Sequence, residues 1–449
     1  MKLTERQERL LKRTFLDYQQ TFEFLKNPLI INKAEGLYYW DSDNKRYFDG
    51  IGGIFVALLG HRHPRVIDAV KRQLDKITFT PPLHGIADIT LDFIEKLGSV
   101  APGNLKYVKP YSGGSESTES AMKFVRQYYQ QTGHPGKYKF ISRYFGYHGG
   151  TFGAMAASGT GKRKTKFEPQ MGGFYKVFPP TYLRDRFASW EECNRFCAKM
   201  FEDVIVNEDP ETVAGIMIEP IGNTGGIITP TDEYFRIIRE ICDKYSVKLI
   251  FDEIITGYGR TGSMFAAQTF GVTPDIICGG KGLSSGVIPL GAMIADEDMA
   301  DAFYGPAEKE LQFAHGHTYA GNPVACAAGI AVVDEIVEKR LDKKAQKLGQ
   351  YLFKKLETLK TYGVIREIRG KGLLLGVELV KDTKNNAPFS ELGIALTKTS
   401  LQNGLIMRID PHWFALAPAL ICTESDIDEL FELVEKSFKD ALDIVSKNS

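Results

Sequence analysis

Helical and strand-like patterns alternate along the chain from about residue 65 to about residue 320. The strand-like runs are short and apolar, and they cover residues 138–142, 214–219, 247–251, 275–278 and 291–295. Helical stretches lie between and before them, at residues 64–76, 89–98, 115–131, 190–206 and 232–245. This alternation is typical of βα units, in which helices cover a sheet of parallel strands. We therefore predict an α/β fold built on a mostly parallel sheet.

The sequence changes character on both sides of this segment. Before it, the patterns predict an opening helix over residues 4–20 and a hairpin around residues 41–45. After it, they predict a long helix at 324–359 that breaks near Arg340, two strands around residues 370–372, a helix at 392–403, strands at 405–408 and 413–416, and a last helix to residue 444. Thr423-Glu424-Ser425-Asp426 predicts the cap of that last helix.

Three parts follow from these patterns. Residues 1–60 form an N-terminal helix and hairpin segment, residues 61–323 a large domain, and residues 324–449 a smaller α+β domain against which the first part packs. A chain of 449 residues is long enough for two or more hydrophobic cores.

The charge balance and the cysteines limit the function classes. Lys and Arg together number 56, as do Asp and Glu, so no net charge favours nucleic acid or an acidic membrane. The short basic run Lys162-Arg163-Lys164 is interpreted as a solvated loop. Six scattered cysteines indicate free thiols in a reducing compartment, and no apolar stretch is long enough to span a membrane. We expect a soluble, cytoplasmic protein without a metal site.

Lys281 and Asp252 are the strongest indications of chemistry. Each follows an apolar strand, and they lie 29 residues apart. The carboxyl ends of parallel strands open onto one crevice, where ligands bind. A lysine there can form a Schiff base, and a nearby buried aspartate can hold a protonated pyridine nitrogen. Together they suggest pyridoxal phosphate as cofactor.

Three further motifs are ambiguous when taken singly. Gly113-Gly114-Ser115 opens a helix, where backbone N–H groups bind anions, although an ordinary helix cap has the same pattern. Tyr147 follows a strand and can stack on a planar ring, whereas His148 alone is more often a structural histidine. Glu219-Pro220 ends another strand at the same predicted crevice.

Taken together, these motifs resemble the class III aminotransferases, the pyridoxal-phosphate group that includes ω-amino acid and amine transaminases. The resemblance extends from about residue 25 to residue 445. The segments that carry it are residues 249–262, the step to Lys281, Gly60-His61-Arg62-His63-Pro64, Tyr147-His148-Gly149, Glu219-Pro220 and Arg369-Gly370-Lys371-Gly372-Leu373. Several ordered motifs at matching intervals are far more specific than any one of them.

The resemblance implies the fold and the cofactor contacts. It implies an aspartate-aminotransferase-like fold, with a mostly parallel seven-stranded sheet in the large domain. Lys281 carries the internal aldimine and acts as general acid and base, and Asp252 pairs with the pyridinium nitrogen. The remaining residues implied at the cofactor are Gly113, Gly114, Ser115, Tyr147, His148, Glu219, Ile254 and Thr318.

Assembly and substrate contacts are implied in the same way. Thr318 reaches the phosphate in the neighbouring subunit, which implies a homodimer with active sites at the interface and leaves a tetramer open. Ile255 replaces the glutamine of ornithine-type and γ-aminobutyrate-type members, which favours the amine and ω-amino acid branch. Phe55, Tyr147 and Arg408 are implied in substrate binding, with Arg408 as a mobile arginine for the carboxylate of a keto acid.

The resulting hypothesis is a ping-pong aminotransferase. It moves an amino group from an amine or ω-amino acid to a 2-oxo acid, with pyruvate the favoured acceptor. An amino acid racemase or epimerase, a decarboxylating transaminase and a phospho-lyase remain open on the same scaffold. A non-catalytic binding protein is disfavoured by the intact Lys281 and Asp252. A Schiff-base aldolase would leave Asp252 and the Gly-Ser loop without a purpose.

Overall fold

The computed structural model describes residues 3–384 and 386–448. Its N-terminal segment comprises α1 (Glu5–Leu11), α2 (Thr21–Lys26), β1 (Ile31–Glu35), β2 (Tyr38–Asp41), β3 (Arg46–Asp49) and the helical turn α3 (Gly52–Phe55). The predicted hairpin is confirmed, since β2 and β3 pair in antiparallel register. The predicted helix over residues 4–20 is wrong beyond Leu11. None of the residues of α1 is buried, so the core offers no packing that would stabilise a longer helix.

The middle of the chain alternates helices and strands, as predicted. Its helices are α4 (Pro64–Leu74), α5 (Asp88–Val100), α6 (Gly114–Gln131), α7 (Phe152–Ala157), α8 (Gly161–Lys164), α9 (Pro180–Leu183), α10 (Trp190–Asn207), α11 (Asp232–Lys244), α12 (Ala266–Phe270) and α13 (Glu297–Ala300). Its strands are β4 (Leu105–Tyr111), β5 (Lys139–Arg143), β6 (Phe174–Val177), β7 (Val213–Ile218), β8 (Lys248–Asp252), β9 (Ile276–Gly279) and β10 (Gly291–Asp296).

These seven strands form one sheet in the order β4-β10-β9-β8-β7-β5-β6. Neighbours from β9 through β6 pair in parallel, while β10 runs antiparallel to both β9 and β4. The predicted α/β fold with a mostly parallel seven-stranded sheet is confirmed. The sequence patterns did not identify β4 and β6. These are the two edge strands, and lysines interrupt their apolar runs.

The central strands place polar residues along one edge of the sheet. Strands β7, β8 and β9 are adjacent and parallel, and nearly all their residues are buried. Glu219 directly follows β7, Asp252 ends β8, and Lys281 follows β9 by two residues. Because parallel strands end at the same edge, the three side chains lie close together.

The C-terminal segment contains α14 (Pro323–Glu338), α15 (Leu341–Glu357), β11 (Ile365–Lys371), β12 (Leu374–Leu379), α16 (Ser390–Gln402), β13 (Leu405–Ile406), β14 (Arg408–Asp410), β15 (Trp413–Leu416) and α17 (Glu424–Asn448). The predicted break near Arg340 is confirmed, since this residue has a left-handed backbone (φ 48°) between α14 and α15. The capping box of α17 is also confirmed, because Asp426 N donates to Thr423 Oγ1 at 3.2 Å and Thr423 N donates to Asp426 Oδ2 at 2.7 Å.

The predicted strand over residues 405–408 is in fact two strands that belong to different sheets. Residues Leu405–Ile406 pair in parallel with β3 of the N-terminal segment, whereas Arg408–Asp410 pair with β15 in the sheet β11-β12-β15-β14. The chain therefore changes sheets at Met407. This pairing packs the N-terminal hairpin against the C-terminal segment, and Ala417 N also donates to Gly50 O at 2.8 Å. The boundaries at residues 60 and 323 stay predictions.

All six cysteines are free and buried, as predicted. Throughout residues 3–384 and 386–448, no helix combines the length and the apolar character that crossing a membrane requires. The same residues contain no group of three or more His, Cys, Asp and Glu side chains placed to hold a metal ion.

Candidate active site

A cavity of about 150 Å³ opens at the carboxyl ends of β7, β8 and β9, beside the start of α6. It brings together most of the predicted site residues. The predicted residues in its wall are Gly114, Ser115, Tyr147, His148, Glu219, Asp252, Ile254 and Lys281. The strand ends that carry these motifs therefore meet at one cavity, as the order of the motifs predicted.

Lys281 lies in the cavity wall with a free amine. Among the described residues, its Nζ makes no hydrogen bond and no ion pair. Burial lowers the pKa of this amine, the carboxylates of Asp252 and Glu219 raise it, and the charges of Arg408 and Arg163 lower it further. The backbone of Lys281 is left-handed (φ 41°), an uncommon and strained conformation for a non-glycine residue.

Asp252 is a buried carboxylate held from two directions. Its Oδ2 lies 2.8 Å from Nδ1 of His148, and its Oδ1 accepts a hydrogen bond from Ile254 N at 3.2 Å. His148 is itself fixed, because its backbone N donates to Ser158 Oγ and its carbonyl accepts from Thr118 Oγ1, both at 2.8 Å. The aspartate therefore presents a negative charge to the cavity in one orientation.

Glu219 lies in the cavity wall after β7, two strands away from the strand that precedes Lys281. It is 6% exposed, and its carboxylate accepts hydrogen bonds from Tyr147 N at 2.8 Å and from Asn223 N at 3.0 Å. Burial raises the pKa of this carboxyl, and the charge of Asp252 adds to the increase while His148 opposes it. Through these two hydrogen bonds, Glu219 connects the loop after β5, which contains Tyr147, to the loop after β7.

The start of α6 leaves backbone N–H groups without partners inside the helix, as at any helix N-terminus. Gly114 has no room for a side chain, since a Cβ there would lie 2.7 Å from Cδ1 of Ile254. Ser115 Oγ accepts a hydrogen bond from Gly150 N at 3.1 Å. Small residues therefore keep this anion-binding end of the helix open to the cavity.

Four predicted residues lie outside the cavity wall. Gly113 caps α6 with an extended backbone, and Phe55 is 1% exposed in the hydrophobic core. Thr318, predicted to act on a second subunit, does not line the cavity of its own chain. Arg408 is not a surface residue, because its side chain is only 14% exposed and bonds Asp410 Oδ2 at 3.1 Å. The roles of all four stay predictions.

Several residues of the cavity wall were not predicted from the sequence. Asn223 and Thr224 line it, and Asn223 Oδ1 and Thr224 Oγ1 are buried without a hydrogen-bond partner in the described chain. Both follow β7 within a glycine-flanked loop. Their proximity to Glu219 at a strand end was the signal that could have identified them.

We define the cavity mouth as Tyr18, Tyr147 and Arg163, of which Tyr147 was predicted from the sequence and Tyr18 and Arg163 were not. The hydroxyls of Tyr18 and Tyr147 lie 3.3 Å apart. The Arg163 guanidinium stacks over both rings, 4.5 Å from the Tyr18 centroid and 4.8 Å from that of Tyr147. Burial, with the Tyr18 hydrogen bond second, raises the pKa of Tyr147 to about 12. The interpretation of Lys162-Arg163-Lys164 as a solvated loop is therefore wrong: the three residues belong to the short helix α8, and Arg163 lies over two rings.

These residues fit the predicted cofactor, pyridoxal phosphate. An unpartnered lysine amine suits a Schiff base, a fixed buried carboxylate suits a protonated ring nitrogen, and the open start of α6 suits a phosphate. No nucleotide-binding lysine follows the Gly-Ser loop, which separates this site from a P-loop.

Comparisons with known proteins agree with this geometry. The profile of the family aminotransferase class-III matches residues 23–438. A taurine–pyruvate aminotransferase of Bilophila wadsworthia is 34% identical over 423 residues, covering 92% of this chain and 92% of that protein. An (S)-enantioselective ω-transaminase of Thermomicrobium roseum has a TM-score of 0.92 and 33% identity, over 97% of this chain and 98% of that one. A PLP-bound amine transaminase from an uncultivated Pseudomonas species has a TM-score of 0.88 and 32% identity, over 92% and 95%.

Proposed function

Since the chain belongs to the class-III aminotransferase family, whose cofactor is pyridoxal phosphate, we propose that it transfers an amino group from an amine or ω-amino acid to pyruvate. The reaction proceeds in two half-reactions, with the donor product leaving before the 2-oxo acid binds. The similarity to a taurine–pyruvate aminotransferase supports pyruvate as acceptor, and the similarity to amine transaminases supports the donor class.

One observation carries the proposal: the free amine of Lys281 and the fixed carboxylate of Asp252 line the same cavity. A structural lysine at this depth would be paired with a carboxylate or a carbonyl oxygen. Its free state leaves it available for covalent and proton-transfer chemistry.

Lys281, Asp252 and the start of α6 have separate roles in this reaction. When bound, the cofactor supplies an electron-withdrawing ring that stabilises negative charge on the substrate carbon. Burial favours the neutral, basic form of Lys281 Nζ, which takes the proton from that carbon and later returns one. Asp252, oriented by His148, supplies the negative charge that keeps a ring nitrogen protonated. The start of α6 with Gly114 and Ser115 holds a phosphate.

Other reactions on the same scaffold lack comparable support. A racemase or epimerase, a decarboxylating transaminase and a phospho-lyase would use the same lysine and aspartate. The relatives described above are transaminases, which favours amino transfer. Product analysis separates these reactions, because only simple transamination converts pyruvate to alanine without loss of carbon dioxide or phosphate from the donor.

The test is the visible absorption spectrum of the cofactor-loaded protein during both half-reactions. A panel of primary amines and ω-amino acids is added first, followed by pyruvate. We expect one donor class to bleach the cofactor band, and pyruvate to restore it with formation of one alanine per site. A band that no donor bleaches contradicts amino transfer, and a protein that acquires no band on addition of the cofactor contradicts the cofactor assignment.

The active unit is proposed to be a homodimer in the cytoplasm. A group of exposed apolar side chains surrounds the segment that contains Thr318, and its members are Phe79, Leu83, Ile86, Tyr107 and Tyr319. A second copy would cover this surface and place Thr318 near the phosphate of its partner. Six free, buried cysteines support a reducing compartment. Light scattering of the purified protein and the cofactor affinity of Thr318→Ala test the assembly.

A further inference from the structure

Arg163 carries a positive charge without an acidic partner. Within the described residues, no carboxylate lies at ion-pair distance from its guanidinium, and its side-chain nitrogens make no hydrogen bond. Two other arginines near the cavity are already bonded: Arg408 to Asp410, and the buried Arg143 to the carbonyl oxygen of Glu219. Of these three arginines, Arg163 is the one whose side-chain nitrogens make no hydrogen bond within the described residues, so it can bind an anion without breaking an existing contact.

Arg163 is also held in place. Its guanidinium stacks over the rings of Tyr18 and Tyr147, at 4.5 Å and 4.8 Å from their centroids. Contact with two aromatic rings restricts the guanidinium, while its N–H groups stay available for an oxyanion. Lys162, its neighbour, is exposed and makes no such contact. A solvated loop does not explain why only the arginine of this basic run turns onto the tyrosines.

The charge of Arg163 acts on the cavity as well. Its positive charge opposes protonation of both Lys281 and Arg408. Tyr147 links the two regions, because it lines the cavity and contacts Tyr18 and Arg163 at the mouth. A ligand whose amine lies at Lys281 can thus extend past Tyr147 to Arg163.

We propose that Arg163, held by Tyr18 and Tyr147, binds the distal anionic group of an ω-amino acid donor, a carboxylate or a sulfonate. This inference rests on the proposed function and gives the substrate class of the same site. The guanidinium presents a planar pair of N–H groups, which matches two oxygens of either anion. Arg408, next to Asp410, remains for the carboxylate of the 2-oxo acid.

The first experiment compares donors on the holoenzyme. Single-turnover bleaching gives kcat/KM for a 3- to 5-carbon ω-amino carboxylate, for the matching aminosulfonate and for an uncharged alkylamine of equal length. In Arg163→Gln we expect the ratio of acidic donor to uncharged amine to fall roughly tenfold to a hundredfold, the usual cost of losing a charge-assisted hydrogen bond. The carboxylate and sulfonate arms show which anion the site prefers.

Lys162→Gln is the matched control, because it removes an adjacent positive charge on an exposed side chain that makes no hydrogen bond or ion pair within the described residues. It should leave the donor ratio within about twofold of the wild-type value, as expected for a screened surface charge. Arg163→Lys retains the charge and loses the planar stack, so its ratio should lie between those of the wild type and Arg163→Gln.

The second experiment measures binding without turnover. Titration calorimetry of the holoenzyme with butanoate and propane-1-sulfonate reports anion affinity with no amine present. We expect Arg163→Gln to weaken binding, and to weaken it equally in an Arg408→Gln background, which separates the two arginines.

Two results would overturn the inference: an equal effect of Arg163→Gln and Lys162→Gln on the donor ratio, or unchanged affinity for both amine-free anions. The failure of the proposed function has a different signature. In that case no donor bleaches the wild-type protein, while the calorimetric titration still decides whether Arg163 binds an anion.

Discussion

The floor and the mouth of the cavity are built in opposite ways. The floor consists of Glu219, Asp252 and Lys281, at the ends of three adjacent buried strands. The mouth consists of Tyr18, Tyr147 and Arg163, which come from three irregular or short segments, and Tyr18 is 70% exposed. The sheet fixes the floor, whereas a few stacking contacts hold the mouth. We infer that the floor sets the reaction and that the mouth selects the donor.

The largest expected effect is at the floor. Lys281→Ala removes the amine that takes the proton, and kcat for both half-reactions should fall by about 10⁴-fold. The cofactor band of the wild type should be absent from the variant spectrum, while Lys166→Ala, at an exposed lysine, should keep both band and rate. If Lys281→Ala retained more than a tenth of the activity, the floor would not perform the reaction.

Asp252→Asn is expected to have the next largest effect. The amide keeps the size of the side chain but loses the negative charge beside His148. Loss of one preorganised electrostatic partner should lower kcat by about 10²- to 10³-fold for acidic and uncharged donors alike. A donor-dependent loss would contradict the division between floor and mouth, because a floor residue should not distinguish substrates by their distal group.

The sequence predicts the floor because each of its residues is adjacent to an apolar strand. Runs such as Val213–Ile218 and Lys248–Asp252 are visible from composition, and the parallel arrangement brings their ends together. The relation of Lys281 to Asp252 therefore follows from local patterns. The hydrogen bond from His148 to Asp252 spans 104 residues, so only the folded chain reveals it.

There is a physical reason why Tyr18 and Arg163, unlike Tyr147, were not predicted at the mouth. Tyr18 lies in an irregular stretch after α1, at a position expected to be helical, and Arg163 lies in a run expected to be solvated. Their contact depends on the loop that follows β5, and no periodic pattern encodes it. The division of residues 405–408 between two sheets was hidden likewise, because it depends on pairing with β3, more than 350 residues earlier.

A smaller effect sharpens the comparison at the mouth. Tyr18→Ala removes one of the two rings under Arg163, so the ratio of kcat/KM for acidic to uncharged donors should fall about three- to tenfold. Tyr18→Phe keeps the ring and loses only the 3.3 Å contact to the Tyr147 hydroxyl. The ratio of kcat/KM for acidic to uncharged donors should therefore fall less in Tyr18→Phe than in Tyr18→Ala. An equal loss of kcat/KM for acidic and uncharged donors would mean that Tyr18 affects the reaction itself through Tyr147, and not the choice of donor.

The smallest effect concerns stability, and it arises because burial at the floor disfavours the protonated form of Lys281. Burial lowers the pKa of Lys281 below its ordinary value of 10.5, so the folded apoprotein resists protonation more than the unfolded chain does. The free energy of unfolding should therefore decrease as the pH falls below 10.5, until the lowered pKa of the folded state is passed. Replacing the lysine by an apolar residue of similar length removes this penalty.

Lys281→Met should consequently melt at a higher temperature than the wild-type apoprotein at pH 7, by about 1–3 °C in a chain of this length. The difference should shrink as the pH rises toward 10, because the unfolded wild-type chain then begins to lose the proton that burial disfavours in the folded state. Thermal unfolding from pH 7 to pH 10 measures it, with Lys162→Met as the exposed control that should show no such trend. A difference that stays constant with pH would indicate better packing of methionine instead. A lower melting temperature at pH 7 would mean that the floor stabilises the charged lysine, and that its carboxylates outweigh the burial.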